Sequence, residues 1–199
     1  MAGKLIRIGA MALLPLALTA CVNLGNKGKL PATLLTLTPT AVAPAGSTAS
    51  ATPAEALMVL EPETDQSLSV LRIPVQVDEA NIAYIKDAQW VERPARLFRA
   101  LLAETLRAKG KRLILEDTQS AVPLPGSLLA GRLIAMGYDA QSQSVVVRYD
   151  AVRTGPGGAV QTKRFESVVP KVKAKGRDIG PALNLAANDV AAQVADWVE

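Results

Sequence analysis

Ser144-Val-Val-Val-Arg-Tyr-Asp-Ala-Val-Arg153, Thr154-Gly-Pro-Gly-Gly158 and Val160-Gln-Thr-Lys-Arg-Phe-Glu-Ser-Val-Val169 form the stretch on which the fold turns. Val145, Val147, Tyr149 and Ala151 share one side of the first segment, against Val146, Arg148 and Asp150 on the other. That is the period of a half-buried strand. The glycine cluster joins two strands and does not lead into a helix, so it reads as a hairpin turn and not as a phosphate cradle. The return strand carries Phe165 on its core side. Upstream, Ser127 to Tyr138 alternates with Leu129, Gly131 and Leu133 on one side, after a brief strand at Arg112 to Glu116. An antiparallel meander follows from these periods.

Two helices flank the meander. Pro94 to Lys109 opens on a proline, whose missing N–H costs nothing in a first turn. Leu97, Phe98, Leu101, Leu102 and Leu106 form its apolar face, and Gly110 suits a left-handed C-terminal cap. The second helix is expected from Ile179 to Val198, with Asp178 as N-cap and Pro181 in the first turn. Its apolar side holds Ile179, Leu183, Val190, Val194, Trp197 and Val198, and Trp197 closes the core. Both helices packed on one face of a small, mostly antiparallel sheet give an α/β (α+β) domain.

Earlier elements are shorter. Thr33 to Thr38, bounded by Pro31 and Pro39, reads as a strand. Residues 39–56 are almost wholly Pro, Ala, Ser, Thr and Gly, the composition of a mobile loop. Leu57 to Leu60 and Leu68 to Val77 are apolar runs. Pro74 in the second implies an edge position or a bend. Asn81 to Trp90 has no clear period.

The N-terminus is an export signal. Lys4 and Arg7 precede an apolar run from Ile8 to Leu18, too short to span a bilayer. Leu18-Thr19-Ala20-Cys21 then forms a lipobox, with Cys21, the single cysteine of the chain, as first mature residue and lipidation site. Residues 1–20 are the signal peptide, 21–31 a lipidated tether, and 32–199 the domain. Stable anchoring needs more than one acyl chain, which a triacylated cysteine supplies. Val22, where an aspartate would retain a lipoprotein at the inner membrane, directs the chain to the periplasmic face of the outer membrane.

Composition narrows the chemistry. Of 22 basic residues, Lys4 and Arg7 leave with the signal, so 20 stand against 18 acidic ones, about +2. No aromatic-interleaved basic patch points to nucleic acid. Histidine is absent, removing the commonest general base and metal ligand. Glu61 with Glu63, and Glu116 with Asp117, read as solvated loop carboxylates. No catalytic residue, metal site or cofactor is assigned beyond the lipid on Cys21, and the chain reads as a non-enzyme.

Leu71-Arg-Ile-Pro-Val75, Ile82-Ala-Tyr84, Trp90, Pro94-Ala-Arg-Leu-Phe98 and the leucine-faced helix carry a resemblance. In that order and spacing the chain is similar to the ABC-type transport auxiliary lipoproteins, the family that includes the outer-membrane lipoprotein of the paraquat-inducible lipid-transport system. The likeness runs from about Leu57 to Val198. Many members carry a tyrosine in the first strand, and Thr33 to Thr38 has none. The resemblance implies an α/β sandwich and a docking or assembly role. The implied partners are an ABC permease, its ATPase and a mammalian-cell-entry-type periplasmic protein, moving lipids or other hydrophobic compounds between two membranes. Two other readings stay open: an interaction module of the cell-wall-synthase-activator or outer-membrane-assembly type, and an apolar-ligand carrier. A homo-oligomer is also open. Candidate interface residues are Tyr84 and Trp90, as aromatic anchors or core, and Lys171, Lys173, Lys175 and Arg177, as a cationic or simply solvated loop.

Overall fold

The computed structural model describes residues 33–110, 112–117 and 125–198. All of them belong to one unit, Pro31–Glu199. The signal peptide, the Leu18–Cys21 word and the tether lie outside the described residues.

A thirteen-residue strand, β6 (Ser127–Asp139), is the spine of an eight-stranded sheet. The elements before it are β1 (Leu57–Val59), β2 (Glu63–Thr64), β3 (Arg72–Gln76), β4 (Ile82–Gln89), α1 (Pro94–Lys109) and β5 (Ile114–Glu116). After it come β7 (Ser144–Thr154), β8 (Val160–Val169) and α2 (Gly176–Val198). β7 pairs antiparallel with β6 over its whole length, and β8 pairs antiparallel with β7. The other edge of β6 is shared in succession by β1, β2 and β3, in short parallel contacts. β5 lies beyond β1 and β4 beyond β3. The long ladders are therefore antiparallel, and the architecture is α+β with both helices on one face.

The alternation in the meander explains why the helices settle there. Leu129, Leu133, Met136, Val145, Val147, Tyr149, Ala151 and Phe165 are buried and point to the helices. They meet Phe98, Leu101 and Leu102 of α1 and Leu183, Val190 and Val194 of α2 in one core. Each such aliphatic or aromatic side chain contributes roughly 1.5–3 kcal/mol by leaving water. Tyr149 sits at the centre, edge-on to Phe98 at 5.2 Å, with its hydroxyl donating to the Ala130 carbonyl at 2.7 Å. Burial pushes its phenol pKa far up, so it stays a neutral donor. Gly131 makes room for it, since a Cβ there would stand 2.7 Å from the Tyr149 hydroxyl and 2.2 Å from the Asp150 carbonyl. Trp197 is half-buried, edge-on to Phe165 at 5.6 Å.

Several expectations change. Thr33 to Thr38 forms a single bridge, Leu35 to Trp90, and no strand. Beyond Leu35 the chain leaves the sheet, because polar side chains of α2 capture its backbone. Thr38 N–H donates to Asn184 Oδ1 at 2.7 Å, and Thr40 N–H to Asn188 Oδ1 at 2.8 Å. Ala43 N–H donates to Glu104 Oε1 at 2.9 Å, so the first part of the Pro/Ala/Ser/Thr stretch is tied to both helices. The second helix starts at Gly176, and Asp178 lies inside its first turn. The cap comes instead from Asp87 of β4. Asn81 to Trp90, without a readable period, is mostly β4. Pro74 marks a break of register between β3 and β4, the bend its presence implied.

Candidate interaction surface

The helices cover one face of the sheet, and side chains of the opposite parity line the other. On β7 and β8 these are Val146, Arg148, Asp150, Val152, Thr162, Arg164, Glu166 and Val168, all half-buried or exposed. β3 and β4 add Pro74, Gln76, Ile82 and Tyr84. The register shift between Leu133 and Ala135 brings Ile134 and Ala135 into the same region.

This face has an apolar and a charged half. The apolar half is a groove of about 170 Å³ lined by Leu68, Pro74, Ile82, Ile134 and Val146, with Arg148 at its margin. Its floor depends on Gly137, where a Cβ would meet the Pro74 carbonyl at 2.5 Å. Ile82 is 51% exposed and Val168 48%, both apolar side chains left to solvent. The charged half is a grid of ion pairs. Arg164 clamps Asp150 through Nε and one terminal nitrogen, each at 2.6 Å. Arg148 pairs with Glu166, and Arg132 with Asp65. The clamp on Asp150, chiefly its hydrogen bonds from Arg164, holds that carboxyl below the usual aspartate range.

The sequence-derived candidates fall into separate places. Tyr84 lies on the open face, half-buried, opposite Pro74, with the Arg72 guanidinium stacked 4.0 Å above its ring. Trp90 is 1% exposed and belongs to the core. Its backbone N–H donates to the Leu71 carbonyl at 2.8 Å and its side chain is enclosed, so it is a packing residue and not a surface anchor. Lys171, Lys173 and Lys175 are exposed along the connection from β8 into α2, whereas Arg177, expected on the same loop, is exposed in the first turn of α2 because that helix starts at Gly176. That connection is held by Val172, whose N–H donates to the Gln143 carbonyl and whose carbonyl accepts from the Tyr138 hydroxyl, both at 2.9 Å. Lys171 adopts a left-handed backbone, φ 60°. Arg177 lies 3.8 Å from Asp178. The three lysines share a loop that leads into Arg177 of α2, and Tyr84 lies apart from them on the sheet. Cys21 and Leu18, Thr19 and Ala20 are outside the described residues.

One cluster was not legible in the sequence. Glu61 and the adjacent Glu116 and Asp117, read there as solvated loop carboxylates, converge on Arg99, which is only 8% exposed despite its charge. Arg99 is hydrogen-bonded to Asp117 and stands 3.3 Å from Glu116 and 3.8 Å from Glu61. Arg107 adds a 2.7 Å pair with Glu116. Every carboxylate has a cation beside it, which suits a clamp between α1 and the ends of β1 and β5.

No family model matches the chain, and no curated protein matches it. Solved structures do. A Xanthomonas campestris protein of the DUF330 family superposes with a TM-score of 0.69 at 16% identity, over 83% of this chain and 94% of that one. An uncharacterised protein superposes at 0.62 and 12% identity, over 84% of this chain and 100% of that one. Both share the fold. A PelC from Paraburkholderia phytofirmans, crystallised as a dodecamer, covers 75% of this chain at 12% identity with a TM-score of 0.41.

Proposed function

We propose that this chain is a lipid-anchored envelope protein whose α+β domain docks other envelope components. Anchored through Cys21 at the periplasmic face of the outer membrane, it serves as the auxiliary lipoprotein of an ABC transporter. Its partner there is a mammalian-cell-entry-type protein, for movement of lipids or other hydrophobic compounds between membranes. The observation that carries the reading is the Leu18-Thr19-Ala20-Cys21 word behind a basic, apolar leader. The family resemblance from Leu71 through Phe98 supplies the partner. Those residues form β3, β4 and the start of α1, and Pro74, Ile82 and Tyr84 among them lie on the open face. A sheet face that none of the described residues covers, with an apolar groove and paired charges, is the kind of surface that a partner protein covers.

A photo-crosslinking residue placed at Ile82 or Val168, and for comparison at Lys173, tests it in intact envelopes. Adducts of the open-face positions with a mammalian-cell-entry-type protein are expected. Adducts with cell-wall synthases or outer-membrane assembly factors alone would replace the transporter reading. Protein adducts from Lys173 but none from Ile82 or Val168 would move the docking surface to the lysine loop.

A further inference from the structure

Among the described residues, β8 has β7 as its only strand neighbour, so one edge of this ten-residue strand is free. The register tells which backbone groups that edge presents. Leu129 of β6 gives its carbonyl to Leu60, away from β7, so Ala130 and Arg132 are the residues that bond β7. They pair with Val152 and Asp150, leaving Ala151 and Tyr149 to bond β8, opposite Lys163 and Phe165. Alternation then turns the N–H and C=O groups of Thr162, Arg164, Glu166 and Val168 outward. A 3.4 Å contact from Gln193 Nε2 to the Glu166 carbonyl agrees with that direction.

We infer that this edge pairs with the same edge of a second copy, antiparallel about a two-fold axis beside Phe165. In that register Arg164 of each copy faces Glu166 of the other, and Thr162 faces Val168. All four residues exchange backbone hydrogen bonds. Charge complementarity selects both occupant and register. A slip of two residues in one direction sets Arg164 against Arg164, and in the other Glu166 against Glu166. Like charges directly opposite one another are unfavourable. The chosen register also extends the ion-pair grid within each copy. A row would read Arg148, Glu166, then Arg164 and Asp150 of the second copy, alternating in sign throughout. An isolated charged edge repels promiscuous partners. This one carries a pattern complementary to itself under a two-fold axis, the requirement of an isologous interface. The Gln193 contact is long and yields to the pairing. Edge pairing buries little area, so the association is weak in solution, and tethering to one membrane would raise the effective concentration. The pairing requires neither a transporter nor its partners.

Sedimentation velocity of the full chain in detergent, up to about 0.2 mM to reach a weak interface, tests it with R164E and E166R. The wild type is expected to dimerise reversibly. Each charge reversal places like charges at both symmetric contacts and is expected to weaken dimerisation about tenfold or more. Mixing the two variants restores opposite charges at both contacts, so the mixture is expected to form heterodimers near wild-type strength. A wild type monomeric throughout the range would overturn the pairing. So would variants that self-associate like the wild type, or folded variants whose mixture stays monomeric.

Discussion

Asp87 of β4 accepts the backbone N–H of Gly176, with its two carboxylate oxygens 3.2 and 3.3 Å away, although 89 residues separate them. The carboxylate stands at the positive end of α2, where it meets both an orphan donor and the helix dipole. Asp87→Ala is expected to destabilise the domain by about 1 kcal/mol, and Asp87→Asn to recover part of that loss. Urea unfolding with an unchanged m-value checks it. Equal stability of wild type and Asp87→Ala would show that the contact holds nothing.

Asn188 performs a similar service for the strap that leaves the sheet after Leu35. Its Oδ1 accepts from Thr40, and its Nδ2 donates to the Thr38 carbonyl at 2.9 Å and the Asn184 carbonyl at 2.8 Å. The side chain is nearly buried, so Asn188→Ala leaves the backbone groups of Thr38 and Thr40 short of partners. A loss of about 1–3 kcal/mol is expected, with faster hydrogen exchange at Thr40. Unaltered exchange there would mean that the strap is held by other contacts.

Arg99 holds three carboxylates from two parts of the chain, Glu61 and the adjacent Glu116 and Asp117. Arg99→Met removes their shared cation while leaving them half-buried, and is expected to cost about 3 kcal/mol. Arg99→Lys is expected to recover little, because a single ammonium cannot serve carboxylates in several directions. Thermal unfolding of both variants decides. A fully stable Arg99→Lys would show that charge alone matters.

The pH dependence follows from carboxyls held below their ordinary values. Asp150 is lowered chiefly by its hydrogen bonds from Arg164, and Asp78 by bonds from the Asn81 side chain and the Ala80 N–H. A folded-state pKa below the unfolded one stabilises fully above the unfolded value, about 3.9 for aspartate. That stabilisation disappears as pH falls through the lower folded value. The melting temperature is expected to be flat with respect to these groups above about pH 5 and to fall below pH 4. Asp150→Asn should flatten part of that decline. A decline of the same size in the variant would remove Asp150 from the account.

Much of the framework was legible because it is local. The alternation Val145 to Ala151, the glycine turn and the leucine face of α1 each declare themselves within a dozen residues, and Gly110 takes the left-handed cap expected of it, φ 69°. Features built by distant partners did not. The start of α2 moves to Gly176 because its cap comes from Asp87. Thr33 to Thr38 has strand-forming residues, yet Asn184 and Asn188 take its backbone away from the sheet. The Arg99 cluster gathers charges from α1, the end of β1 and the end of β5, with no spacing rule to announce it. On the open face, Tyr84 was visible as an aromatic, whereas the groove beside it needs the register break at Pro74 and the bulge after Leu133. Trp90 was open to a core role from the sequence, and the structure gives it one, with its backbone bonded to Leu71 and bridged to Leu35.

A pull-down from detergent-solubilised envelopes, with a C-terminal tag on the wild type and on Cys21→Ala, tests the docking account most directly. The account predicts recovery of a mammalian-cell-entry-type protein with its permease and ATPase from the wild type, and loss of all three from Cys21→Ala. Recovery of cell-wall synthases with no transporter subunit, or a partner set unchanged in Cys21→Ala, would contradict it.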